Sequence, residues 1–200
     1  NREHSVPASW FNDGPPMYTD LFHLYPTDGY VNNRRSNYPF GEVGSVSWSS
    51  DNGSKVGGSS YSGYGGEVFE PIDEYKGDFA RTYFYMVTRY YNVAKNWNSD
   101  MLNGTQYPAF TPWAESMLLE WHELDPVSEK EIDRNNVIYS RYQGNRNPFI
   151  DHPEFALKIW DEYNQAQIKQ QNHNVALYPN PASNMVTVDT KDNQCTECVV

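Results

Sequence analysis

The sequence is poor in cysteine, and this limits how the fold can be stabilised. Its only two cysteines, Cys195 and Cys198, stand near the carboxyl end of the 200-residue chain. No disulfide can therefore close within the preceding residues, and a chain of this length can bury enough surface without one. The isolated Cys-x-x-Cys spacing has no second pair and no histidine at ligand distance, which favours incidental thiols over a zinc site.

Long apolar segments are also missing. No stretch approaches the ~18 consecutive apolar residues that a membrane-spanning helix requires. The sequence starts at Asn1, without an initiator methionine or a charged-then-apolar leader. We therefore expect a processed form or a fragment, with part of the first domain and any signal peptide preceding Asn1.

Positive charge is scarce. The formal net charge is −11 at pH 7, which argues against a protein that holds nucleic acid through a broad basic patch. It does not exclude a nuclease, because hydrolysis needs positive charge at one phosphate only, and a metal ion with a few arginines can supply it. Aromatic residues make up 16% of the chain and provide core volume for one ordinary domain with a short extension.

Polar chemistry is concentrated in the first 37 residues. Glu3 offers carboxylate oxygens, Asn32 an amide oxygen, and His4 a nitrogen that can take a proton near neutral pH. The local pattern predicts a strand at the amino end, a second short strand over 20–25, and a helix with cap candidates at 27–29. A strand pair followed by a helix could bring the three side chains to one cation and one water.

Several ordered blocks resemble the bacterial endonuclease I family, secreted or periplasmic nucleases with a ββα-metal finger, also called a His-Me finger. The likeness covers about residues 1–160. Its blocks are Asn1-Arg2-Glu3-His4, the run Asp20 to Asn37, Val68-Phe69-Glu70-Pro71, Lys76-Gly77-Asp78-Phe79-Ala80-Arg81, Leu119-Glu120-Trp121-His122 with Asp125-Pro126-Val127-Ser128, and Gln143-Gly144-Asn145-Arg146-Asn147-Pro148-Phe149. The resemblance implies an α+β fold in which a small finger packs on a mainly helical body over residues 1–163.

The resemblance also implies site roles. His4 matches the general base, Glu3 and Asn32 match the metal ligands, and Arg35 matches an arginine that we interpret as a catalytic phosphate contact. Related sequences often carry a histidine where Phe22 stands, and some place an arginine in the loop before Asp20, which here has none. Further phosphate contacts are therefore expected from the remaining candidates, Arg2, Arg34 and Arg146.

The implied activity is metal-dependent hydrolysis of phosphodiester bonds in DNA, with RNA as a second candidate, leaving 5′-phosphate ends. One Mg²⁺ is expected, with Mn²⁺ or Ca²⁺ as alternatives, and the protein is expected to be a secreted monomer. Two other classes stay open. One is a non-catalytic nucleic-acid-binding finger, and the other is a carbohydrate-binding module with Trp48, Tyr61 and Tyr64 as its platform.

Two segments allow a structural and a functional interpretation. Residues 45–66 are rich in serine and glycine, and we favour a flexible loop over a hairpin whose aromatic side chains stack on unpaired bases. For residues 143–149 we favour bracing of the finger over a contact with backbone phosphate.

Helices are predicted for the second half of the domain. They cover 78–91, a segment opened by Thr111 and Pro112, a segment from the Ser128 capping box to Gly144, and a last helix from Asp151 through Trp160. The remaining histidines, His23, His122 and His152, have no diagnostic ligand spacing, so we expect structural roles for them.

The composition changes after residue 163. Residues 164–174 are polar and linker-like, and residues 175–200 resemble the start of the carboxyl-terminal sorting domain of the type IX secretion system. Its Pro-Asn-Pro turn precedes an alternating segment, Met185 to Asp189, that predicts a strand. This resemblance implies the type IX machinery as a partner and an extracellular or cell-surface location.

Overall fold

The computed structural model describes residues 1–161 and three strand segments, 176–178, 186–189 and 196–198. The chain divides into two compact units, Asn1–Ala156 and Leu157–Val200. The first unit has the predicted α+β fold, with short antiparallel sheets and a helical body. Its strands are β1 (Arg2–His4), β2 (Leu24–Pro26), β3 (Val43–Ser49), β4 (Lys55–Ser59) and β5 (Glu67–Glu70), and its helices are α1 (Gly29–Arg35), α2 (Lys76–Arg89), α3 (Tyr91–Ala94), α4 (Pro112–Leu124), α5 (Glu129–Val137), α6 (Pro148–Asp151) and α7 (Glu154–Ala156).

Strands β1 and β2 pair antiparallel, and α1 follows directly, so the predicted order of strand, strand and helix is confirmed. Asp28 caps α1 by accepting hydrogen bonds from the backbone N–H groups of Tyr30 and Val31. The predicted second strand over 20–25 is wrong in its first half. Residues Leu21–His23 form a 3₁₀ turn instead, because the Asp20 carboxylate accepts the Phe22 N–H and draws the backbone into a turn.

The flexible loop favoured for residues 45–66 is also wrong. β3 and β4 form a hairpin there, and β5 completes a three-stranded antiparallel sheet in the order β3-β4-β5. Close packing of the strands requires a glycine at position 57, since a Cβ there would lie 2.0 Å from the Ser45 carbonyl oxygen. The glycines therefore allow close strand pairing and do not mark a flexible segment.

Helix α2 is the centre of the first unit and packs against α4. Most of the side chains of α2 are buried. The aliphatic and aromatic side chains of both helices that are at most 2% exposed form the core: Ala80, Tyr83, Phe84, Tyr85, Met86, Ala114, Met117, Leu118 and Trp121.

The helix boundaries follow the capping signals. Pro112 is the first residue of α4 with Thr111 at the N-cap, and Ser128 and Glu131 form a complete capping box at α5. The α5 segment continues as a π-helix over Ile138–Gln143 and stops at Gly144, whose φ of 72° is left-handed. The predicted last helix is interrupted after Asp151, resumes as α7, and continues as a π-helix over Leu157–Asp161.

In the second unit, three further strands, β6 (Ala176–Tyr178), β7 (Val186–Asp189) and β8 (Thr196–Cys198), form an antiparallel sheet in this order. The strand predicted from the alternation of residues 185–189 is confirmed by β7. The predicted linker, 164–174, lies outside the described residues, and so does most of the predicted sorting segment. Within the described part of the chain, no helix is both long enough and apolar enough to cross a membrane.

Candidate active site

The finger formed by β1, β2 and α1 places Glu3, Asn32 and Arg35 along one cleft, which His4 does not line. Glu3 and His4 are neighbours on β1, where they pair with Tyr25 and Leu24 of β2. Asn32 lies on α1, and its side-chain amide donates to the backbone carbonyl of Arg2 at 3.4 Å. Adjacent strand residues point to opposite faces. Glu3 is accordingly buried, whereas His4 is partly exposed.

One backbone contact orients His4. Its Nε2 lies 3.0 Å from the carbonyl oxygen of Tyr18, and the rings of these two residues are 4.7 Å apart. A carbonyl oxygen can only accept a hydrogen bond, so neutral His4 carries its proton on Nε2. Nδ1 then keeps the lone pair and is the nitrogen that can accept a proton.

Glu3 is 8% exposed, and its two oxygens differ in surroundings. Oε1 accepts a hydrogen bond of 2.7 Å from Arg35, whereas Oε2 is buried and has no partner among the described residues. Burial raises the pKa of Glu3, and the Arg35 guanidinium opposes that shift. A buried carboxylate oxygen without a partner is costly, and a bound cation would compensate it.

Arg35 is buried between α1 and β1. The side chain is 3% exposed and donates to Glu3 and to the carbonyl oxygens of His4 and Ser5, while its guanidinium lies 4.7 Å from the centre of the Phe40 ring. These contacts commit the guanidinium to holding β1 on α1. We therefore describe Arg35 as a positioning residue for Glu3 and His4. The predicted phosphate contact stays a prediction.

The other predicted arginines occupy different surroundings. Arg2 is exposed on β1, and Arg34 is exposed on α1 with its guanidinium held by the Tyr30 hydroxyl at 2.9–3.1 Å. Arg146 forms a two-point ion pair with Asp151 and a hydrogen bond with Asn136. Those contacts fit the bracing role favoured for residues 143–149, and the phosphate roles of the three arginines remain predictions.

The donor set of Glu3 and Asn32 fits a hard divalent cation. Both residues line one cleft of about 950 Å³, and both offer oxygen atoms, which Mg²⁺ and Ca²⁺ prefer. Among the described residues, no group of three or more His, Cys, Asp or Glu side chains could hold a metal. A two-residue site is therefore the one to test, with the partnerless Oε2 of Glu3 as its strongest indication.

Comparison with known proteins decides the family. The endonuclease I family model matches residues 1–154, which is most of the chain. The chain belongs to the endonuclease I family. Among its curated relatives, the extracellular ribonucleases of Bacillus subtilis (strain 168) and Bacillus amyloliquefaciens are 41% and 42% identical to it over 165 and 169 residues, about 80% of this chain.

A more distant relative is named Endonuclease-1, from Buchnera aphidicola subsp. Acyrthosiphon pisum (strain APS). It is 29% identical over 133 residues, which cover 66% of this chain and 44% of that protein. The aligned segments cover 54% and 53% of the two Bacillus proteins. The chain thus spans about half the length of the curated relatives it matches.

In this endonuclease I domain, Asp20 anchors the finger to the body. Its carboxylate is 3% exposed and accepts hydrogen bonds from the hydroxyls of Tyr85 and Tyr90 on the α2 side and from the Gln143 amide. Gln143 also accepts the Leu21 N–H at 2.8 Å. The segment 143–149 therefore braces the finger, as the sequence predicted.

Three supporting residues were missed from the sequence. Arg134 of α5 donates to the carbonyl oxygens of Leu21, Phe22 and Leu24, and so fixes the backbone that leads into β2. Tyr18 orients His4 through a backbone atom that no side-chain pattern encodes. Only Asp20 carried a signal, because it stands at the start of the conspicuous polar run.

The structural roles predicted for two histidines are confirmed. His23 is fully buried, its Nε2 lies 2.8 Å from the Met17 carbonyl, and burial lowers its pKa to about 4. Its ring lies 5.1 Å from that of His4, so a neutral His23 adds no charge beside the candidate base. His122 is buried against the Pro153 carbonyl, and its burial lowers its pKa.

Proposed function

We propose that this member of the endonuclease I family is a secreted endonuclease that hydrolyses phosphodiester bonds of DNA, with RNA as the second candidate substrate, and leaves 5′-phosphate ends. The observation that carries the proposal is the hydrogen bond between His4 Nε2 and the Tyr18 carbonyl, because it leaves Nδ1 as a base on the short strand that also carries Glu3. The names of the relatives, extracellular ribonuclease and Endonuclease-1, support nucleic acid as the substrate class.

His4 is the general base in this proposal. Nδ1 takes a proton from the attacking water, and the Tyr18 carbonyl stabilises the imidazolium through the Nε2–H that it already accepts. A positioned base contributes about 10²–10⁴-fold to the rate. The proton is returned to bulk water because His4 is partly exposed.

Glu3 and Asn32 would hold the divalent cation, for which we propose Mg²⁺, with Mn²⁺ and Ca²⁺ as alternatives. When bound, the ion supplies positive charge that stabilises the charge developing on the phosphate oxygens. Arg35 opposes the rise in pKa that burial gives Glu3, and its hydrogen bond orients the Glu3 carboxylate. The exposed arginines Arg2 and Arg34 are the nearest candidates of this finger for contacts with the flanking phosphates.

A nicking assay tests the base. We expect His4→Ala to lower cleavage of supercoiled plasmid by about 10²–10⁴-fold, and EDTA to abolish cleavage by the unmodified protein. The matched control is His152→Ala, since the His152 side chain is 58% exposed and pairs with Glu154 away from the finger. Parallel reactions on matched DNA and RNA strands, with end labelling before and after phosphatase, give the substrate order and the position of the phosphate.

Undiminished cutting by the His4→Ala protein would overturn the mechanism. A protein that shifts DNA without cutting it in Mg²⁺ would instead favour the non-catalytic finger. The carbohydrate-binding alternative required Trp48, Tyr61 and Tyr64 to form one platform. Tyr61 and Tyr64 instead contact Glu120 and Trp113, whereas Trp48 lines the Glu3 cleft.

For the cellular location, we propose export through the type IX machinery. Deleting the segment from residue 164 onward from the protein in a host that has this system would test it, and unchanged secretion would contradict it.

A further inference from the structure

The Glu3 cleft also carries an aromatic cluster, whose two rings have no role in the proposed hydrolytic step. Tyr30, Arg34 and Trp48 form it, and we call it the aromatic cluster. The Tyr30 and Trp48 rings are 6.0 Å apart in an edge-to-face arrangement, and the Arg34 guanidinium lies 5.2 Å from the first ring and 5.9 Å from the second. Tyr30 is 58% exposed, so more than half of its surface is open to a ligand.

The cluster bridges the two walls of the cleft. Tyr30 and Arg34 belong to the helix that also carries Asn32, whereas Trp48 belongs to the hairpin on the other side. Both rings line the same cleft as Glu3 and Asn32. An extended ligand bound at Glu3 would therefore pass directly over the cluster.

A second aromatic pair in the same unit shows what a purely structural pair looks like. Tyr64 and Trp113 stack face to face at 4.3 Å with an interplanar angle of 10°, and the Tyr64 hydroxyl is tied to Asp100. These two rings cover each other. In the aromatic cluster, by contrast, the two rings meet edge to face and do not stack on each other.

The charges that line the Glu3 cleft favour a ligand that is held by stacking on aromatic rings. The cleft is lined by five carboxylates, Glu3, Asp28, Asp51, Asp78 and Glu131, and by three cations, Arg35, Lys130 and Arg134. Such a surface cannot retain a polyanion by charge alone. Stacking of bases on aromatic rings gives affinity that does not depend on net charge, and it requires unpaired bases.

We infer that the aromatic cluster binds an unpaired nucleobase of the substrate strand beside the bond to be cut, so that the enzyme acts preferentially on single-stranded nucleic acid. The inference rests on the proposed function and adds the strandedness of the substrate. The base stacks on Trp48 or Tyr30, and Arg34 covers the neighbouring ring or contacts the phosphate that follows. A paired base cannot do this without leaving its duplex.

Trp48→Ala is the principal test. The probe is a fluorescent 12-nucleotide single strand, in DNA and in RNA form, compared with the same sequence as a duplex. We expect kcat/KM for the single strand to fall about tenfold or more, as stacking losses typically do, with the duplex rate changed less than threefold. Trp48→Phe should restore most of the loss. The matched control is Val46→Ala, since Val46 is 56% exposed on the same strand and should change neither rate.

Substrates with one abasic position make the test independent of folding. If a base stacks on Trp48, removing that base should slow the unmodified protein and leave Trp48→Ala unaffected, so that the two losses do not add. Additive losses, or equal losses on single strand and duplex, would overturn the inference while leaving the nuclease proposal intact. An unmodified protein that cuts neither probe would instead overturn the proposed function itself.

Discussion

The first unit contains two large concave surfaces, and they differ in how their polar groups are satisfied. The larger, about 1430 Å³, is lined by Glu42, Tyr61, Lys76 and Glu120 among others, whereas the Glu3 cleft measures about 950 Å³. In the larger cavity Lys76 is paired with Glu42, Glu70 and Asp73, and Tyr61 donates to Glu120. In the Glu3 cleft a buried carboxylate oxygen has no partner among the described residues.

This difference shows that the volume of a cavity does not by itself identify the active site. Polar groups that satisfy one another stabilise the fold and leave no demand for a ligand. A buried oxygen that is left without a partner costs free energy, and a protein retains it where a ligand compensates that cost. The smaller cleft is therefore the candidate active site, and the larger cavity should tolerate substitution without loss of catalysis.

Removing the Glu3 carboxylate should have the largest effect. We expect Glu3→Gln to lower nuclease activity by more than about a hundredfold, since even changes to residues behind a metal ligand cost ~10–100-fold. Isothermal titration with Mn²⁺ should show binding by the unmodified protein and not by the variant. Retained Mn²⁺ binding in Glu3→Gln would mean that the partnerless oxygen is not a metal ligand.

Arg35 should give an intermediate effect. Arg35→Lys removes the planar group that reaches Glu3 and two backbone carbonyls at once, so we expect a loss of ~10–100-fold in activity. If Arg35 acts by positioning, raising the Mg²⁺ concentration should recover part of the rate. A loss that no Mg²⁺ concentration alters would favour the direct phosphate contact predicted from the sequence.

Substitution of Lys76 tests the expectation that the larger cavity has a structural and not a catalytic role. Lys76→Met leaves the Glu42 and Glu70 carboxylates without their cation, and we expect it to lower the free energy of unfolding by up to about 3 kcal/mol. The activity of the folded fraction should stay within twofold of the unmodified value. Thermal unfolding measured beside the nicking rate separates the two quantities, and a selective loss of activity would give the larger cavity a catalytic role.

Acidic pH should lower the stability of the fold through protonation of His23. The pKa of His23 falls from its ordinary value of 6.5 to about 4 in the fold, so the unfolded chain binds more protons between these values, and stability is lost as the pH falls through this window. The expected loss is roughly 3 kcal/mol. The raised pKa of Glu3 acts with the opposite sign, and urea titrations of the unmodified protein and His23→Phe at pH 4.5 and 7 isolate the histidine. Parallel pH profiles of the two proteins would contradict this assignment.

Many of the helix boundaries of the first unit could be predicted from the sequence because their signals are local. The cap at Asp28, the capping box at Ser128 and the proline at position 112 each act on the next turn of backbone, and all three were placed correctly. The hairpin at 43–59 could not be predicted in this way. Its glycines are needed by a partner strand, and a composition rule cannot distinguish that need from flexibility.

The site shows the same division. Glu3, His4 and Asn32 carry their chemistry in their side chains, and the family blocks locate them. The surroundings that define Arg35 are distant in sequence, since its partners lie about thirty residues earlier and include two carbonyl oxygens. Residue identity alone could not separate a buried positioning arginine from an exposed phosphate contact.

The acceptor that orients His4 belongs to the main chain of residue 18 and survives every side-chain replacement there. A saturation library at this codon would perturb the tyrosine ring and still preserve the tautomer. Shortening the connection between Pro7 and Thr19 by one residue would displace the Tyr18 carbonyl. His4 would then lose the hydrogen bond that fixes its tautomer, although the side chains of Glu3, His4 and Asn32 would be unchanged. With His4 as the proposed base, the length of this loop would itself determine proton transfer, and alignments that score amino-acid identity alone would overlook it.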